Sequence, residues 1–403
     1  MNKPHTRPNS KGFKLENQIL SLFKEGRSIC NISRTLQISR QTIYNHLQNT
    51  PIKVFKVASL FSGVGGLDYG FHKNPNFEVV FANDFDKDAC ETYRKNLGEI
   101  QEGDITQFID QIPQHDVLIG GFPCSPFTLC GKRQGFSDEK GRGLQYKNCV
   151  LSLQKYQPSL FVFENVKGLM NHKTNNESTL EIILNDLKSC GYKVDHHLIF
   201  MPDYGVPQKR ERIFIVGVRN DINIDPTQLI PPKPNITKSL LLKDNLPFPE
   251  PGIINIPNHE IENVININEI VVECDENLIN LNQNEYKKRC ENALLNSSLC
   301  SGFDGLLPVF SEGIQANSSQ GYKRPNPIEI APTVCFGNTK GILHPFQPRR
   351  LTIREHAYLQ SFPNNFIFMG SKSAQRLQVG NAVPPLFSCY LAEHLSKIIT
   401  PKT

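Results

Sequence analysis

One cysteine stands in a setting that favours nucleophilic chemistry. Cys124 lies between two prolines in the stretch 122–126 (FPCSP), which follows an apolar run at 117–119 and two glycines. The prolines fix the backbone on both sides of the thiol, and a thiol at a polar, partly exposed strand end is of the reactive kind. We therefore interpret Cys124 as a candidate nucleophile. The loop that follows carries Lys132 and Arg133 and is predicted to face a polyanion.

A carboxylate and an alternating polar run form a second candidate set. Glu164 follows the apolar run 160–163, and burial there should raise its pKa until it can donate a proton near neutral pH. The alternative is a glutamate that caps the next helix. Gln208, Arg210 and Arg212 alternate along the chain, and a period of two puts them on one face of a strand. Two arginines in such a place indicate a site that binds an anion or a carbonyl oxygen.

Polar residues also follow two earlier apolar runs. The glycine-rich stretch 61–66 comes after the run 54–60. Such a turn lets the backbone approach a cofactor closely, although its spacing differs from the dinucleotide fingerprint. Asp84 ends the second predicted strand, where its carboxylate would accept a pair of ribose hydroxyls, and Asp104 would accept from an adenine amino group. Each aspartate reads equally well as a helix cap or a turn residue.

These residues must be positioned by an α/β scaffold. Apolar, β-rich runs recur along the body of the chain and are predicted as strands at 54–60, 77–81, 117–119, 160–163, 197–200 and 213–216. Helix-period segments lie between several of them, for example 180–189 with Gly191 at its end. Thr352 and Glu355 form a capping-box pattern before a later helix. The alternation predicts a doubly wound, mostly parallel sheet, in which ligands bind beyond the carboxyl ends of the strands.

The first 50 residues differ in character from the rest. They contain eight basic and two acidic side chains, a net charge of +6, so residues 51–403 sum to −1 within a whole-chain charge of +5. Apolar spacing over 15–48 predicts helices broken near Gly26 and 37–39, with Ser39 as the N-cap of the last helix. The side chains that this helix would present to base edges and phosphates are Arg40, Gln41, Thr42 and Tyr44.

The stretch 28–47 resembles the three-helix DNA-binding domains of resolvase/invertase type, a small all-α helix-turn-helix. The alternative is a helical subdomain that only packs on the body. The concentration of positive charge favours the DNA-binding interpretation.

Eight motifs in family order carry a second resemblance. They are Phe61-x-Gly63-x-Gly65-Gly66, Asn83-Asp84, Gly103-Asp104-Ile105, Gly121-Phe122-Pro123-Cys124, Glu164-Asn165-Val166, Gln208-x-Arg210-x-Arg212, Arg350-Leu351-Thr352-x-Arg354-Glu355 and Gly380-Asn381-Ala382-Val383-Pro384. This set resembles the DNA (cytosine-5) methyltransferases of bacterial restriction–modification type and runs from about residue 54 to 395. Residues 1–50 lie outside it, and Ser125 stands where many relatives have glutamine.

The resemblance implies a chemistry residue by residue. The Cys124 thiolate adds to carbon 6 of a cytosine flipped out of double-stranded DNA, Glu164 supports nitrogen 3, and Arg212 holds the 2-carbonyl oxygen. Arg210 would help to position phosphates and the loop. The methyl donor is S-adenosylmethionine, and its implied binding residues are Phe61, Gly63, Gly65, Gly66, Asp84, Asp104, Ile105, Pro123 and Asn381. The residues of the body expected to contact DNA are Lys132, Arg133 and Gln208.

The predicted organisation interrupts the catalytic domain with an insert. The four segments are a helix-turn-helix domain at 1–50, the first part of the catalytic and cofactor-binding domain at 51–221, a target-recognition domain at 222–345 and a returning catalytic part at 346–403. Within the insert, 287–289 and 318–324 are the candidate DNA-facing clusters, although 287–289 reads equally as a solvated helix face. The stretch 253–286 is acidic and is predicted to lie on the side away from phosphates.

Two classes of function are compatible with these features. The first is an enzyme that methylates carbon 5 of cytosine at a short duplex site, which protects the DNA from a cognate restriction endonuclease without contacting it. The second is a regulator whose first 50 residues bind an operator, such as the promoter of the linked restriction genes. A tRNA cytosine methyltransferase on the same fold is disfavoured by the long insert, and amino-group methylation by the lack of an Asp-Pro-Pro-Tyr type motif.

Composition narrows the class of protein. A hydrophobic content of 38% and a charged content of 21% are ordinary for a folded globular protein. There is no apolar run of 18 residues, so no membrane-spanning helix is expected. The 11 cysteines are scattered without a Cys-x-x-Cys pair, which predicts reduced thiols in a cytoplasmic protein and argues against a zinc site.

Overall fold

The structure, a computed structural model, describes most of the catalytic body and part of the basic head. The described residues are 15, 18–22, 29–39, 42–43, 46, 54–123, 145–174, 176–242, 329–335, 342 and 351–399. Their helices are α1 (Ile29–Leu36), α2 (Asp68–Lys73), α3 (Lys87–Asn96), α4 (Tyr146–Tyr156), α5 (Thr179–Ser189), α6 (Ile353–Leu359), α7 (Lys372–Asn381) and α8 (Pro385–Ile399). Their strands are β1 (Phe55–Leu60), β2 (Phe77–Asp84), β3 (Gln101–Glu102), β4 (Val117–Gly120), β5 (Leu160–Val166), β6 (Lys173–Thr174), β7 (Glu177–Ser178), β8 (Tyr192–Phe200), β9 (Gln208–Lys209), β10 (Glu211–Arg219) and β11 (Ala331–Pro332).

Seven strands form one twisted central sheet. Its order is β3-β2-β1-β4-β5-β10-β8. The pairs from β3 to β5 are parallel, whereas β10 runs antiparallel to both β5 and β8. The prediction of an α/β fold with a mostly parallel sheet is therefore confirmed. Reversal of direction at β10 allows a strand to enter between two neighbours without a helical crossover.

Side chains of the sheet alternate between two apolar layers. Along β5, Phe161 and Phe163 point into the layer formed with α4 and α5, whereas Leu160 and Val162 point into the layer formed with α2 and α8. This alternation follows from the period of two along a strand. Because both faces are covered, β5 reads as a continuous apolar run in the sequence rather than as an alternating one.

Each of the six predicted strand runs coincides with an observed strand, although the first run began one residue early at Val54, and the boundary differs most for β8. The prediction began at residue 197, whereas the strand begins at Tyr192. The added residues are mostly polar and half-buried, because β8 lies at the edge of the sheet. The predicted helix 180–189 is observed as α5, and Gly191 after it adopts a φ of 92°. The predicted capping box is present at α6, where Thr352 and Glu355 bond each other's backbone amides.

The described part of the basic head has a small apolar centre of its own. Ile19, Ile32 and Ile43 are fully buried in one cluster, against which Val54 also packs. Ser39 accepts a hydrogen bond from the Thr42 amide at 3.0 Å, the N-cap contact that the sequence predicted. The domain boundaries remain predictions, and the segments 124–144 and 243–328 lie outside the described residues. None of the helices in the described part of the chain has the length and hydropathy that crossing a membrane requires.

Candidate active site

Four strand ends lie level with one another along one edge of the sheet. Leu60 is the register partner of both Asn83 and Gly120, and Gly120 is also the partner of Phe163. The next residue of each strand therefore lies one step further along the same edge, and these residues are Asp84, Phe61, Gly121 and Glu164. Motifs that are up to 103 positions apart in the chain are thus brought into a single row at the carboxyl ends of parallel strands.

The glycine-rich turn after β1 is closed onto Asp84. Phe61 and Gly63 adopt φ values of 56° and 54°, and Gly65 adopts 85°. The Gly63 amide donates to Asp84 Oδ2 at 2.7 Å, and the Asp86 amide donates to Oδ1 at 2.9 Å. Phe61 is the notable member of the turn, because a bulky residue with a Cβ atom seldom adopts a positive φ.

The Asp84 carboxyl retains acceptor capacity toward a ligand. Each of its oxygens accepts one backbone bond, and a carboxylate oxygen has lone pairs for a second. Burial raises the pKa of Asp84 to about 6, and the amides of Asp86 and Gly63 oppose this rise. The carboxyl is therefore mostly ionised at neutral pH and can accept two hydroxyl groups.

Asp104 and Ile105 lie beyond the short strand β3. The Asp104 carboxylate accepts from the amide of Thr106 at 2.9 Å and from its hydroxyl at 2.8 Å, so it caps a short 3-10 turn while its side chain stays exposed. Ile105 is buried with Leu60 and Phe122 beneath the strand ends. Cap and ligand contact are compatible for Asp104, because the second carboxylate oxygen is not used in the cap.

Asn165 connects the end of β5 to the segment 121–123, which precedes Cys124. Its amide nitrogen donates to the Phe122 carbonyl at 3.1 Å, and its amide oxygen accepts from the Val166 amide. A Cβ atom on Gly121 would lie 3.3 Å from Glu164 Oε2, so the glycine keeps this approach open. Pro123 is the last described residue before the loop. Cys124, Lys132 and Arg133 lie outside the described residues.

Glu164 and Arg212 form an ion pair at the same edge. Arg212 Nε lies 2.9 Å from Glu164 Oε1, and the two side chains are 15% and 11% exposed. Burial raises the pKa of Glu164, and the guanidinium groups of Arg212 and Arg210 oppose that rise. The predicted position of Glu164 at a buried strand end is observed, and the carboxyl lies within β5 rather than at a helix cap.

Gln208 and Arg210 are enclosed by protein rather than open to a ligand. The strand is interrupted at Arg210, between β9 and β10. The side chains of Gln208 and Arg210 are both fully buried. Arg210 donates to the carbonyls of Val334, Gly380 and Ala382 at 3.3, 3.0 and 2.9 Å. It is thus surrounded by protein carbonyls and cannot position phosphates. Its charge acts on the site through the pKa of Glu164.

Gln208 was predicted to contact DNA, and this prediction is wrong. Its amide donates to the Leu359 carbonyl at 3.0 Å and to the Gln360 side chain, and its oxygen accepts from the Val334 amide at 3.0 Å. The physical reason is that the returning chain covers this residue. Gln208 joins three segments inside the protein instead of facing solvent.

The last segment of the chain packs directly onto the glycine-rich turn. A Cβ atom on Gly66 would lie 2.3 Å from the Val383 carbonyl oxygen, and one on Gly70 would lie 2.1 Å from that of Ser388. The Gly70 amide donates to Ser388 Oγ at 2.8 Å. Asn381 ends α7 with its side chain exposed, two residues before this contact.

The N-terminal candidates are described only in part. Thr42 is half-buried, and its hydroxyl is hydrogen-bonded to Ser39 Oγ at 2.8 Å. Arg40, Gln41 and Tyr44 lie outside the described residues, as do the clusters 287–289 and 318–324.

Sequence reasoning missed one exposed aromatic residue at the edge. Phe85 follows Asp84 directly, and 70% of it is exposed. A phenylalanine so open to solvent beside a buried carboxylate offers a flat apolar face for a ring. The sequence does contain a pattern that could have indicated it: an aromatic residue stands among polar ones at the end of a strand, in Asn83-Asp84-Phe85-Asp86.

The sheet order, the turn clamped to Asp84 and the strand-end carboxylate define an α/β methyltransferase. A family model of C-5 cytosine-specific DNA methylases matches residues 55–397. The chain is 36% identical to the type II methyltransferase M.NgoFVII of Neisseria gonorrhoeae over 351 residues, which is 86% of this chain and 87% of the relative. It is 31% identical to M.HhaI of Haemophilus parahaemolyticus over 85% of this chain and 94% of the relative.

Solved structures agree with this fold. A protein described as a DNA modification methyltransferase encoded within a prophage (E. coli) superposes with a TM-score of 0.61 at 25% identity, over 86% of this chain and 99% of that one. The S. pombe Dnmt2 methyltransferase superposes with a TM-score of 0.54 at 16% identity and so shares the fold. The chain belongs to the C-5 cytosine-specific DNA methylase family, and it is a DNA (cytosine-5-)-methyltransferase.

Proposed function

We propose that the chain methylates carbon 5 of a flipped-out cytosine within a short duplex DNA site, with S-adenosylmethionine as the methyl donor. We propose further that this methylation protects the DNA from a cognate restriction endonuclease. The observation that carries the proposal is the single row of Asp84, Phe61, Gly121 and Glu164. Three strand spacings separate Asp84 from Glu164, roughly 14 Å, so a cofactor subsite and a base subsite fit side by side on one edge.

The residues near β2 fit an adenosine group. The free lone pairs of Asp84 suit the two ribose hydroxyls, and the exposed ring of Phe85 suits stacking on adenine. Asp104 has one carboxylate oxygen left for the adenine amino group. S-adenosylmethionine supplies an electrophilic methyl group when it is bound. The turn 61–66, Ile105, Pro123 and Asn381 complete the proposed walls of its site.

The residues near β4 and β5 fit the cytosine. The Cys124 thiolate adds to carbon 6, and the electron pair of the ring double bond moves toward nitrogen 3, which Glu164 protonates or hydrogen-bonds. Arg212 donates to the 2-carbonyl oxygen, where negative charge also develops. Carbon 5 thereby becomes nucleophilic. After methylation, loss of its proton re-forms the double bond and expels the thiolate.

The ion pair explains how Glu164 can serve an aromatic base. A buried carboxyl with a raised pKa holds a proton more readily than an exposed one, and the Arg212 guanidinium opposes the rise that burial causes. A base that has left the stack brings its Watson–Crick edge to such a pair. The Asn165 bond to the Phe122 carbonyl holds the chain two residues before Cys124 at the same edge.

Bisulfite sequencing of DNA from a host that expresses the protein tests the activity and identifies the site together. Wild-type protein should leave one cytosine protected in a recurring short sequence. Cys124→Ala should abolish protection yet retain DNA binding, while Cys389→Ala, at a half-buried cysteine of α8, should keep it. Full methylation by Cys124→Ala would refute the covalent mechanism. Methylation of tRNA but not of duplex DNA in a parallel assay would overturn the choice of substrate.

We also propose that the basic head is a helix-turn-helix that binds operator DNA and represses the restriction–modification genes. Its net charge of +6, its isoleucine centre and the Ser39 cap support a folded DNA-binding unit. Deletion of residues 1–48 should spare site-specific methylation and remove the mobility shift of DNA from upstream of the gene. Loss of site specificity in the truncated protein would instead make the head part of target recognition.

A further inference from the structure

A chain of polar side chains, buried at Ser59, Asp68 and Tyr93 and half-buried at its two ends, runs beneath the glycine-rich turn. Ser62 Oγ donates to Ser59 Oγ at 2.8 Å, and Ser59 Oγ donates to Asp68 Oδ1 at 2.9 Å. The Tyr93 hydroxyl donates to Asp68 Oδ2 at 2.9 Å and lies 3.0 Å from His72 Nε2. The chain thus links the turn after β1 to α2 and α3, and none of the proposed catalytic contacts uses it.

Tyr93 occupies a structural junction in this chain. It lies on α3, the helix that begins directly after the Asp84–Asp86 segment, and it is fully buried. Its ring also bounds the turn, because a Cβ atom on Gly65 would lie 2.9 Å from Tyr93 Cε2. Tyr93 therefore packs against the turn at Gly65 and is also linked to Ser62 of the turn through hydrogen bonds. It does both from α3, the helix that follows Asp84.

The turn needs external support to keep its shape. Ser62 is flanked by Phe61 and Gly63, both at positive φ, and a backbone in that region persists where its surroundings fix it. The same conformation directs the Gly63 amide at the Asp84 carboxylate. A hydrophobic residue could fill the space of Tyr93, but it could not hold Asp68, whose buried oxygens require donors.

We propose that Tyr93 is a positioning residue for cofactor binding: its hydroxyl, acting through Asp68 and Ser59, holds Ser62 and keeps the turn in the shape that receives S-adenosylmethionine. The inference rests on the proposed cofactor site at this turn. Tyr93 touches neither the cofactor nor the base. Its loss should therefore weaken cofactor affinity and leave the chemical step intact.

Tyr93→Phe is the direct test, and Tyr192→Phe is its matched control. Tyr192 is likewise buried and donates its hydroxyl to the Pro158 carbonyl at 2.8 Å, between α4 and β8. Tyr93→Phe should raise the KM for S-adenosylmethionine and its Kd by calorimetry about tenfold, the equivalent of one hydrogen bond, with kcat within about twofold. Tyr192→Phe should change neither constant, although both variants lose thermal stability. Equal KM values for the two variants would overturn the proposal.

A second variant tests the connection itself. Ser62→Ala removes the other end of the chain without touching Tyr93, and it should raise the cofactor KM by a similar factor. If the two residues act through one chain, the double variant should raise KM much less than the product of the single effects. Independent, multiplicative effects would refute the linkage. Wild-type protein that binds the cofactor but methylates no cytosine would count against the proposed function and leave the positioning role to be judged by Kd alone.

Discussion

Substitution of Asp68 by asparagine should change the pH dependence of stability by an amount that the structure fixes. Asp68 is fully buried, and this burial raises the pKa of its carboxyl from 3.8 to about 7 despite hydrogen bonds from the Tyr93 and Ser59 hydroxyls. A raised pKa means that the folded protein holds the proton more tightly than the unfolded chain. The stabilisation is complete below about pH 4 and is lost as the pH rises through about 7.

The magnitude follows from the size of the shift. About three pKa units correspond to about 4 kcal/mol, since each unit is worth about 1.4 kcal/mol. Most of the change falls between about pH 5 and about pH 8, where the protein can be studied. Over this range the free energy of unfolding of the wild type should fall by about 3 kcal/mol relative to that of Asp68→Asn. Asparagine has a similar shape and does not titrate. Groups such as Asp84 and Glu164 titrate in both proteins and therefore cancel in the difference.

Urea unfolding of both proteins across this pH range gives the free energies of unfolding to be subtracted. A difference that stays constant with pH would show that the Asp68 carboxyl titrates near its ordinary value, which would refute the argument from burial. A difference that grows in favour of the wild type as the pH rises would show that the hydroxyl groups, with His72, stabilise the carboxylate more than burial opposes it.

Four further substitutions test the site and its support. Gly66→Ala should lower the free energy of unfolding by about 1–3 kcal/mol, because the new Cβ would lie 2.3 Å from the Val383 carbonyl oxygen. Gly63→Ala, with nothing within 4 Å and a φ of 54°, should lower it by only about 1 kcal/mol, and equal losses in urea titrations would contradict the packing argument. Glu164→Gln should reduce the single-turnover methylation rate by roughly 10²–10⁴-fold with the Kd for S-adenosylmethionine unchanged, and a weakened Kd at an unchanged rate would assign the residue to the cofactor. Thr352→Ala should cost about 1 kcal/mol by thermal unfolding through loss of the α6 cap and leave the methylation rate unchanged, whereas unaltered stability would show that the capping box contributes nothing.

Local patterns predicted much of the scaffold. The runs that became β1, β5 and β10 are recognisable because strands covered on both faces are mostly apolar. The capping box of α6 was equally predictable, because Thr352 and Glu355 bond within a single turn. The edge strand β8 was only half recovered, since its exposed position tolerates polar side chains and removes the apolar signal.

Long-range burial limited the prediction of the site. Alternation suggested that Gln208, Arg210 and Arg212 share a polar face, yet Arg210 donates to carbonyls at 380 and 382 that lie 170 and 172 positions away. A period of two reports direction along a strand and carries no information on which distant segment will cover it. The exposure of the Phe85 ring was not predicted for the same reason, because the exposure of a side chain depends on which distant segments cover it.

The sequence by itself determined the class of chemistry, because the side chains capable of it stand in motifs short enough to be read locally. Cys124, Glu164 and Arg212 supply a thiol, a carboxyl and a cation whatever surrounds them. Only the tertiary structure decided which polar side chains lie at the strand-end edge, as Glu164 and Arg212 do, and which are enclosed by protein, as Gln208 and Arg210 are. That division depends on register across four strands and on a C-terminal segment packed against Gly66 and Gly70, and such contacts arise from packing between residues far apart in the chain.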